Sequence, residues 1–351
     1  MKKFYLLPVL ALSAFAVDAK NLAVNGQEYE VDTLVTPHHV GPGTMYAHYR
    51  VPKRPMEIHV LQFDLSNPYI TMEVWNGGSA AVACETPTSV YGRYEKDGIQ
   101  VVAAHNGDFF TTNLGESGIS RMGLIGAGDV IFNPTGNPLF VVDGNGQPWI
   151  DYVQFGGQLK AGEKTSRIHT VNQLRLEWEP ATHADQLSLY TPAFGSKMHA
   201  NSAGGTVAVV KPVSGNVAFP TNKPIEMKVI ERLANPGQIE IPADGAVLHG
   251  VGSSATVLDA LQPGETVTVS LNASLPSYPD VKNLREGMGG SGHIILRNGQ
   301  ITNINNPDCH PRTFMGISQD RKTVWSVIVD GRWASSAGID LDDEGRVLQW
   351  L

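Results

Sequence analysis

The sequence predicts an α+β fold, one large domain of mixed, mostly antiparallel β-sheets with a few packed helices, and three observations carry that prediction. Glycine and proline are abundant, 37 and 22 of 351 residues, above the ~12% that the two reach together on average. Charged residues make up only 17%, against about 25% in an ordinary domain. Apolar residues recur in short alternating runs divided by turn residues, not in long helical stripes. The hydrophobic fraction of 42% is enough for a sizeable core and excludes wholesale disorder. Length alone fits about two domains or one large β-rich one; no break in composition divides the chain, which favours the second.

The first nineteen residues stand apart. Lys2 and Lys3 precede an apolar run from Phe4 to Ala16, and small residues close it at Ala14-Phe15-Ala16 and Val17-Asp18-Ala19. A basic start, a short apolar stretch and an Ala-x-Ala exit form a signal peptide over 1–19. The run is shorter than the ~20 residues of a spanning helix and Pro8 interrupts it, so no integral membrane span is predicted. Export, to a periplasm or the extracellular space, follows. Cleavage after Ala19 takes the formal charge from -8 to about -9, an acidic balance that excludes nonspecific nucleic-acid binding, which needs a basic face. The two cysteines, Cys84 and Cys309, are not spaced as zinc ligands; in an oxidising compartment they either pair or stay apart as small buried hydrophobes.

Along the mature chain, residues 20–40 read as an irregular N-terminal segment, and 41–351 as the domain. Tyr46–Arg50, Ile58–Asp64 and Ile70–Trp75 alternate between Pro52, Pro55 and the turn Ser66-Asn67-Pro68 and predict three strands. A short helix is expected within 84–97. Ile99–Ala104 reads as a buried strand running into His105-Asn-Gly-Asp-Phe-Phe110. A meander follows over 115–157, where Leu139–Asp143 and Trp149–Val153 flank the hairpin signal Gly144-Asn-Gly146. Further strands are expected at 186–190, 206–210, 246–249 and 266–270. Pro212, Pro220, Pro224 and Pro236 predict that the middle segment lies at edges and in loops. His293–Arg297 leads into the turn Asn298-Gly299, and 341–351 form a helix with Leu341, Leu348 and Leu351 on one face.

Two clusters can carry chemistry. In the first, a strand ends in Asn106-Gly107-Asp108 with Phe109 and Phe110 beside it, which presents polar groups at a strand terminus against an apolar wall; the same residues also make a plain turn. In the second, 310–318 and 323–332 form a hairpin about Asp320-Arg321. Pairing about that turn sums to 641 or 642, so Arg312 lies opposite Val329 or Asp330, and His310, Arg312, Asp330 and Arg332 gather at the open end. A guanidinium there suits a phosphate or carboxylate; the alternative is an Arg312–Asp330 ion pair that pins the strands. The runs Gly287-Met-Gly-Gly-Ser-Gly292 and Gly250-Val-Gly-Ser-Ser254 offer backbone N–H groups to an anion or are tight turns. His38, His39, His48, His59, His199 and His249 lack sequential metal-ligand spacing and read as solvated or core histidines.

Taken in order, these segments resemble the phosphodiester glycosidase family, that of the lysosomal uncovering enzyme, in a bacterial secreted form. Gly41-Pro-Gly43 with Asp64-Leu-Ser-Asn-Pro68 resembles the opening strands of bacterial members. Asn106-Gly-Asp-Phe-Phe110 resembles its Asn-x-x-aromatic-Phe block, with Asp108 where many relatives have glycine. Gly287 to Gly299 resembles its glycine-rich strand approach, and Arg312-Thr-x-x-Gly316 with Asp330-Gly331 and Gly338-Ile339 its longest motif. The resemblance spans roughly 40–351. Relatives usually continue through a helix to a strand ending Asn-Leu-Asp-Gly-Gly-Gly-Ser, so it also implies that the C-terminal end of the domain is missing here.

The resemblance implies hydrolysis of a sugar-1-phosphodiester bond, of the N-acetylglucosamine-1-phosphodiester kind, with a sugar-phosphate or glycan as partner and no cofactor; about a metal it is silent. Phosphate is a weak base and leaves with little acid assistance, so the site needs a cation to hold it and a carboxylate or imidazole to activate water. Asp108, Asp330 and His310 are the candidate catalytic residues. Asn106, Gly107, Phe110, Gly290, Arg312, Thr313 and Arg332 are the candidate substrate-binding residues. The rival readings are a non-catalytic binder of phosphorylated envelope or host polysaccharide, and an envelope structural protein.

Overall fold

The two ends of the chain meet in one sheet. Its strands run in the order Arg312–Ile317, Thr323–Val329, Met56–Asp64, Thr44–Val51, Asp32–Gly41, every neighbouring pair antiparallel. The computed structural model describes residues 21–24, 26–77, 84–95, 99–110, 118–173, 184–199, 204–290 and 292–351. The predicted signal peptide and Ser291 of the glycine-rich run lie outside the described residues.

Alternation decides which face of this terminal sheet is dry. Ala47, Tyr49, Val51, Met56, Ile58, Val60, Val327 and Val329 point one way and are buried against the C-terminal helix Leu341–Trp350. Each such aliphatic side chain contributes about 1.5–3 kcal/mol on full burial. The helix starts at Asp340, whose carboxylate accepts from the Asp343 N–H at 2.8 Å, an N-cap. Leu348 packs on the strand where Gly316 leaves room: a Cβ on residue 316 would stand 2.7 Å from Leu348 Cδ2.

A second antiparallel sheet runs Asp129–Phe132, Leu124–Gly126, Leu284–Gly289, Pro138–Asp143, Pro148–Tyr152. Between these, one continuous stretch builds an eight-stranded sheet with its own core: Lys164–Ile168, Gln154–Ala161, Thr266–Ser274, Pro224–Ala234, Thr206–Pro212, Ala246–Gly250, Leu187–Tyr190, Thr170–Val171. Only its last pair is parallel.

The molecule is therefore mostly β, with 46% strand, 9% helix and three short helices among the described residues, and the α+β expectation holds loosely. The helix expected within 84–97 is Pro87–Tyr94, and both predicted hairpins form, about Gly144–Gly146 and Asn298-Gly299. Four expectations change. The segment 20–40, predicted irregular, contributes Leu22–Val24, Gln27–Tyr29 and nearly all of the edge strand Asp32–Gly41; its polarity reflects edge exposure, not lack of pairing. Ile70–Trp75 and Ile99–Ala104 form no strand, with a single bridge residue at Ile99, and Ile99 and Val102 are exposed. Pro224–Ala234 is an inner strand, because Pro224 is its first residue and Pro212 the last of its neighbour, where a missing N–H is tolerated. Cys84 and Cys309 are unpaired and both exposed, not buried.

Candidate active site

The hairpin register settles what reaches the cleft. Arg312 stands opposite Val329, the 641 pairing, with Thr313 opposite Ile328. Side chains alternate across a strand, so Arg312 and Asp330 leave the sheet on opposite faces, and the ion pair held as the alternative reading does not form. Asp330 lies instead beside His59, Oδ2 to Nε2 3.5 Å, with its side chain 49% exposed. The turn is held by Asp320, whose Oδ1 accepts from Ser318 Oγ at 2.7 Å and the Lys322 N–H at 3.2 Å.

Arg312–Ile317 is an edge strand, and a cleft of about 1010 Å³ opens along it. Across the cleft lie loop 105–110, the end of Leu284–Gly289, and Pro148–Ile150. Arg321 reaches back from the hairpin turn to lie 4.0 Å over the Trp149 ring. Thr313 Oγ1 donates to Asn106 Oδ1 at 3.1 Å and ties the two predicted clusters together.

Glycine places the loop. The Asp108 N–H donates to Gly289 O at 3.1 Å. A Cβ on Gly107 would overlap Met288 Sδ at 1.8 Å, and one on Gly289 would stand 2.4 Å from Met122 Cβ and 3.1 Å from Asp108 Cγ. The Asn-Gly-Asp and Gly-Met-Gly-Gly motifs are thus two sides of one close backbone approach. The second glycine-rich run, 250–254, lies elsewhere, and its Ser253 N–H is taken by the chain's own Asp185 at 2.7 Å.

Asp108 Oδ2 accepts from Ser120 Oγ and from the Met122 N–H, while Oδ1 is buried with no hydrogen-bond partner among the described residues. Burial raises its carboxyl above the ordinary aspartate range, and the Ser120 and backbone hydrogen bonds pull it back only in part. Neighbouring His105 is held below its usual range by burial, despite its ring contact with Asn106 O at 2.7 Å.

Arg312, its side chain 14% exposed, spends Nε on Ile339 O at 2.9 Å and Nη2 on Asp308 O at 3.0 Å. Glu344 Oε1 stands 3.4 Å from that Nε, beyond good hydrogen-bond range. Burial pushes the Glu344 carboxyl up to about 8; the Arg312 charge opposes this and Asp340 adds to it. Glu344 is therefore a neutral acid at pH 7, lining the cleft beside a fixed cation.

Of the sequence candidates, the cleft wall gathers Asp108, Asn106, Gly107, Phe110, Gly290, Arg312 and Thr313. Phe109 and Phe110 are exposed there, not core. His310, Asp330 and Arg332 are not on that wall. His310 uses its backbone to bridge Ile339 and is exposed; Arg332 is exposed at φ 67°, just past the strand end. Glu344 escaped sequence reasoning. Its signal was there, an acidic residue in a first helical turn otherwise apolar on that side, but an acid in a first turn ordinarily serves the helix dipole.

The fold and cleft define a β-rich protein with a partly buried arginine at a strand edge and a carboxyl, that of Glu344, beside it. Residues 205–351 match the phosphodiester glycosidase family model. That match holds Arg312 and Glu344 but begins beyond loop 105–110; its hairpin is nevertheless hydrogen-bonded to Met56–Asp64 in one sheet. No curated protein matches the chain. Among solved structures, a hypothetical protein from Synechocystis aligns at TM-score 0.64 and 15% identity, over 88% of this chain and 54% of that one. A protein described as exported, from Burkholderia pseudomallei K96243, aligns at TM-score 0.62 and 18% identity, over 84% and 66%. The chain thus spans between half and two thirds of their lengths, and the likeness concerns the fold. No helix among the described residues is long and apolar enough to cross a membrane.

Proposed function

We propose that this protein is an exported phosphodiester glycosidase that hydrolyses a sugar-1-phosphodiester in the cleft along Arg312–Ile317, within a single domain spanning 41–351. The observation that carries the reading is a partly buried arginine, already oriented by two backbone carbonyls, beside a carboxyl held neutral at pH 7. Such a pair receives an anion without first losing an ion-pair partner. Arg312 holds the phosphate through its remaining N–H donors, and neutral Glu344 donates a hydrogen bond to a phosphate oxygen. Asn106 and Thr313 position the sugar, and Phe109 and Phe110 shield it from water.

In the reaction water adds to the anomeric carbon and its proton passes to Asp108, whose raised carboxyl makes it the stronger base. The bond from that carbon to the phosphate oxygen breaks and the electron pair leaves with the phosphate monoester. The products are a reducing sugar and a phosphomonoester. The ionised leaving group develops its charge where Arg312 waits, the place where electrostatic stabilisation is most effective.

The test is release of reducing sugar from N-acetylglucosamine-1-phosphodiesters. Arg312→Ala should cost about 10²–10³-fold in kcat, the usual worth of one buried charge stabiliser. Arg312→Lys, which keeps the charge without the fork, should recover part of it, and Asp108→Asn should lower kcat with little change in KM. Tight binding with no turnover would favour the polysaccharide-binding reading, and turnover indifferent to Arg312 would end this one.

A further inference from the structure

A second polar cluster lies on the face of the terminal sheet that is not covered by the C-terminal helix. His48 and His59 are direct cross-strand partners, and their rings stack with centroids 4.0 Å apart. Glu57, opposite Arg50, lies beside them: its Oε2 is 3.1 Å from His48 Nε2. Asp330, on the next strand, places Oδ2 3.5 Å from His59 Nε2. One donor atom from each of His48, Glu57 and His59 lies within 4.8 Å of the others. A tetrahedral ion with bonds of about 2.0–2.1 Å needs its ligands about 3.3 Å apart, a contraction that side-chain rotation supplies.

We infer that His48, His59, Glu57 and Asp330 form a binding site for a divalent transition ion of the zinc type. Three features argue for it. First, the outer partners are in place. Tyr46 Oη contacts His59 Nδ1 at 2.8 Å, and with Nδ1 protonated and donating, Nε2 turns its lone pair towards Asp330. Arg50 Nε and Nη2 both donate to Glu57 Oε1, at 3.2 and 2.8 Å, which leaves Oε2 facing His48. Hydrogen bonds of this kind to the far side of a ligand fix its orientation and tautomer in metal sites.

Second, the donors converge: the His48 and His59 rings stack across the strand pair and Glu57 Oε2 lies 3.1 Å from His48 Nε2, so imidazole and carboxylate atoms share one small volume. Third, the charge favours it: Glu57 and Asp330 together outweigh the one guanidinium of Arg50, and the net negative charge attracts a cation. Imidazole with carboxylate favours zinc-like ions over magnesium or calcium, which take all-oxygen sets. The half-exposed position of Asp330 leaves the ion open to solvent on one side.

The site sits on the face that carries Thr313: His59 pairs with Ile328, and Ile328 with Thr313. It is therefore two strands from the cleft, on the sheet that holds Arg312, and its existence does not depend on the glycosidase reading.

The experiment uses the full chain, free of any histidine tag and stripped with chelator, titrated with Zn2+ by calorimetry and with Co2+ by visible absorption. One equivalent should bind, with cobalt bands of low-coordinate type. His48→Asn and His59→Asn should each weaken binding by tenfold or more, Asp330→Asn and Tyr46→Phe should weaken it by a smaller factor, and His39→Asn should leave it unchanged. Zn2+ should also raise the Tm of the unmodified protein, an effect reduced in Asp330→Asn, whose exposed position lets that variant fold if the histidine variants do not. No saturable uptake at one equivalent, or uptake and Tm shift indifferent to all these substitutions, overturns the site.

Discussion

Glu57 and Glu344 each lie beside an arginine on opposite sides of the same five-stranded sheet, yet their carboxyls are displaced in opposite directions. Arg50 commits two N–H groups directly to Glu57, and the hydrogen bonds hold that carboxyl down. Arg312 commits its Nε and one Nη to the carbonyls of Ile339 and Asp308, and Glu344 receives only the charge at 3.4 Å while losing its hydration. Proximity to a cation does not by itself ionise a buried acid; the donors must be aimed at it, or desolvation wins. The first arrangement suits a stable surface pair. The second leaves an arginine whose charge is unspent, which is what a phosphate site requires.

The largest effect that would break this contrast is in stability against pH. Glu344 has a folded pKa of about 8 against an ordinary 4.5, so the folded state binds more protons between those values. Stability from this group is full below about pH 4.5 and is lost as pH rises to about 8, by up to roughly 5 kcal/mol. Glu344→Gln should flatten that slope, measured as urea midpoints at pH 5 and pH 8. Activity should follow: an alkaline limb near pH 8 in the parent and none in the Gln variant, which keeps the hydrogen-bond donor. A parent whose stability is level across that range would mean that Arg312 does ionise Glu344 and that the two acids are alike.

The next effect concerns how the cleft is assembled. Gly289→Ala sets a Cβ 2.4 Å from Met122 Cβ and 3.1 Å from the Asp108 carboxyl. Neither is the end of a flexible chain, so backbone must shift, at about 1–3 kcal/mol. The Asp108 N–H bond to Gly289 O lengthens with it, so kcat should fall further than thermal stability would suggest. An unchanged kcat would show that Asp108 does not need its present position.

These contrasts explain what the sequence disclosed and what it hid. The hairpin was legible because Asp320-Arg321 marks the turn, and counting about it narrowed the partner of Arg312 to Val329 or Asp330; the structure pairs it with Val329. The meeting of Asn106 with Thr313, 207 residues apart, rested on family resemblance, since no local pattern carries it. Asp330 went to the wrong partner because two registers were open, and one residue of slip exchanges faces. The His48–His59 pair was hidden for a simple reason: ligand spacing was sought along the chain, whereas these residues meet across the turn between Val51 and Met56. Counting about that turn, with Arg50 opposite Glu57, would have found them. The C-terminal helix was legible from its apolar face, but the pKa of Glu344 was not, because burial depends on every element packed around it.

The smallest effect tests the Glu57 side. Its lowered carboxyl contributes stability that is present above about pH 4.5 and lost as pH falls below it, the opposite slope to Glu344. Arg50 is 41% exposed, so solvent screens the pair and Arg50→Ala should cost under about 1 kcal/mol. The informative readout is therefore not the cost but the titration. With Arg50 gone, the Glu57 carboxyl should rise towards its ordinary value, read by NMR of the labelled side chain, and Glu344 should not move. If Glu57 stays low without Arg50, then His48, 3.1 Å away, holds it ionised, and the difference between the two acids lies in their histidine neighbours and not in how the arginines are aimed.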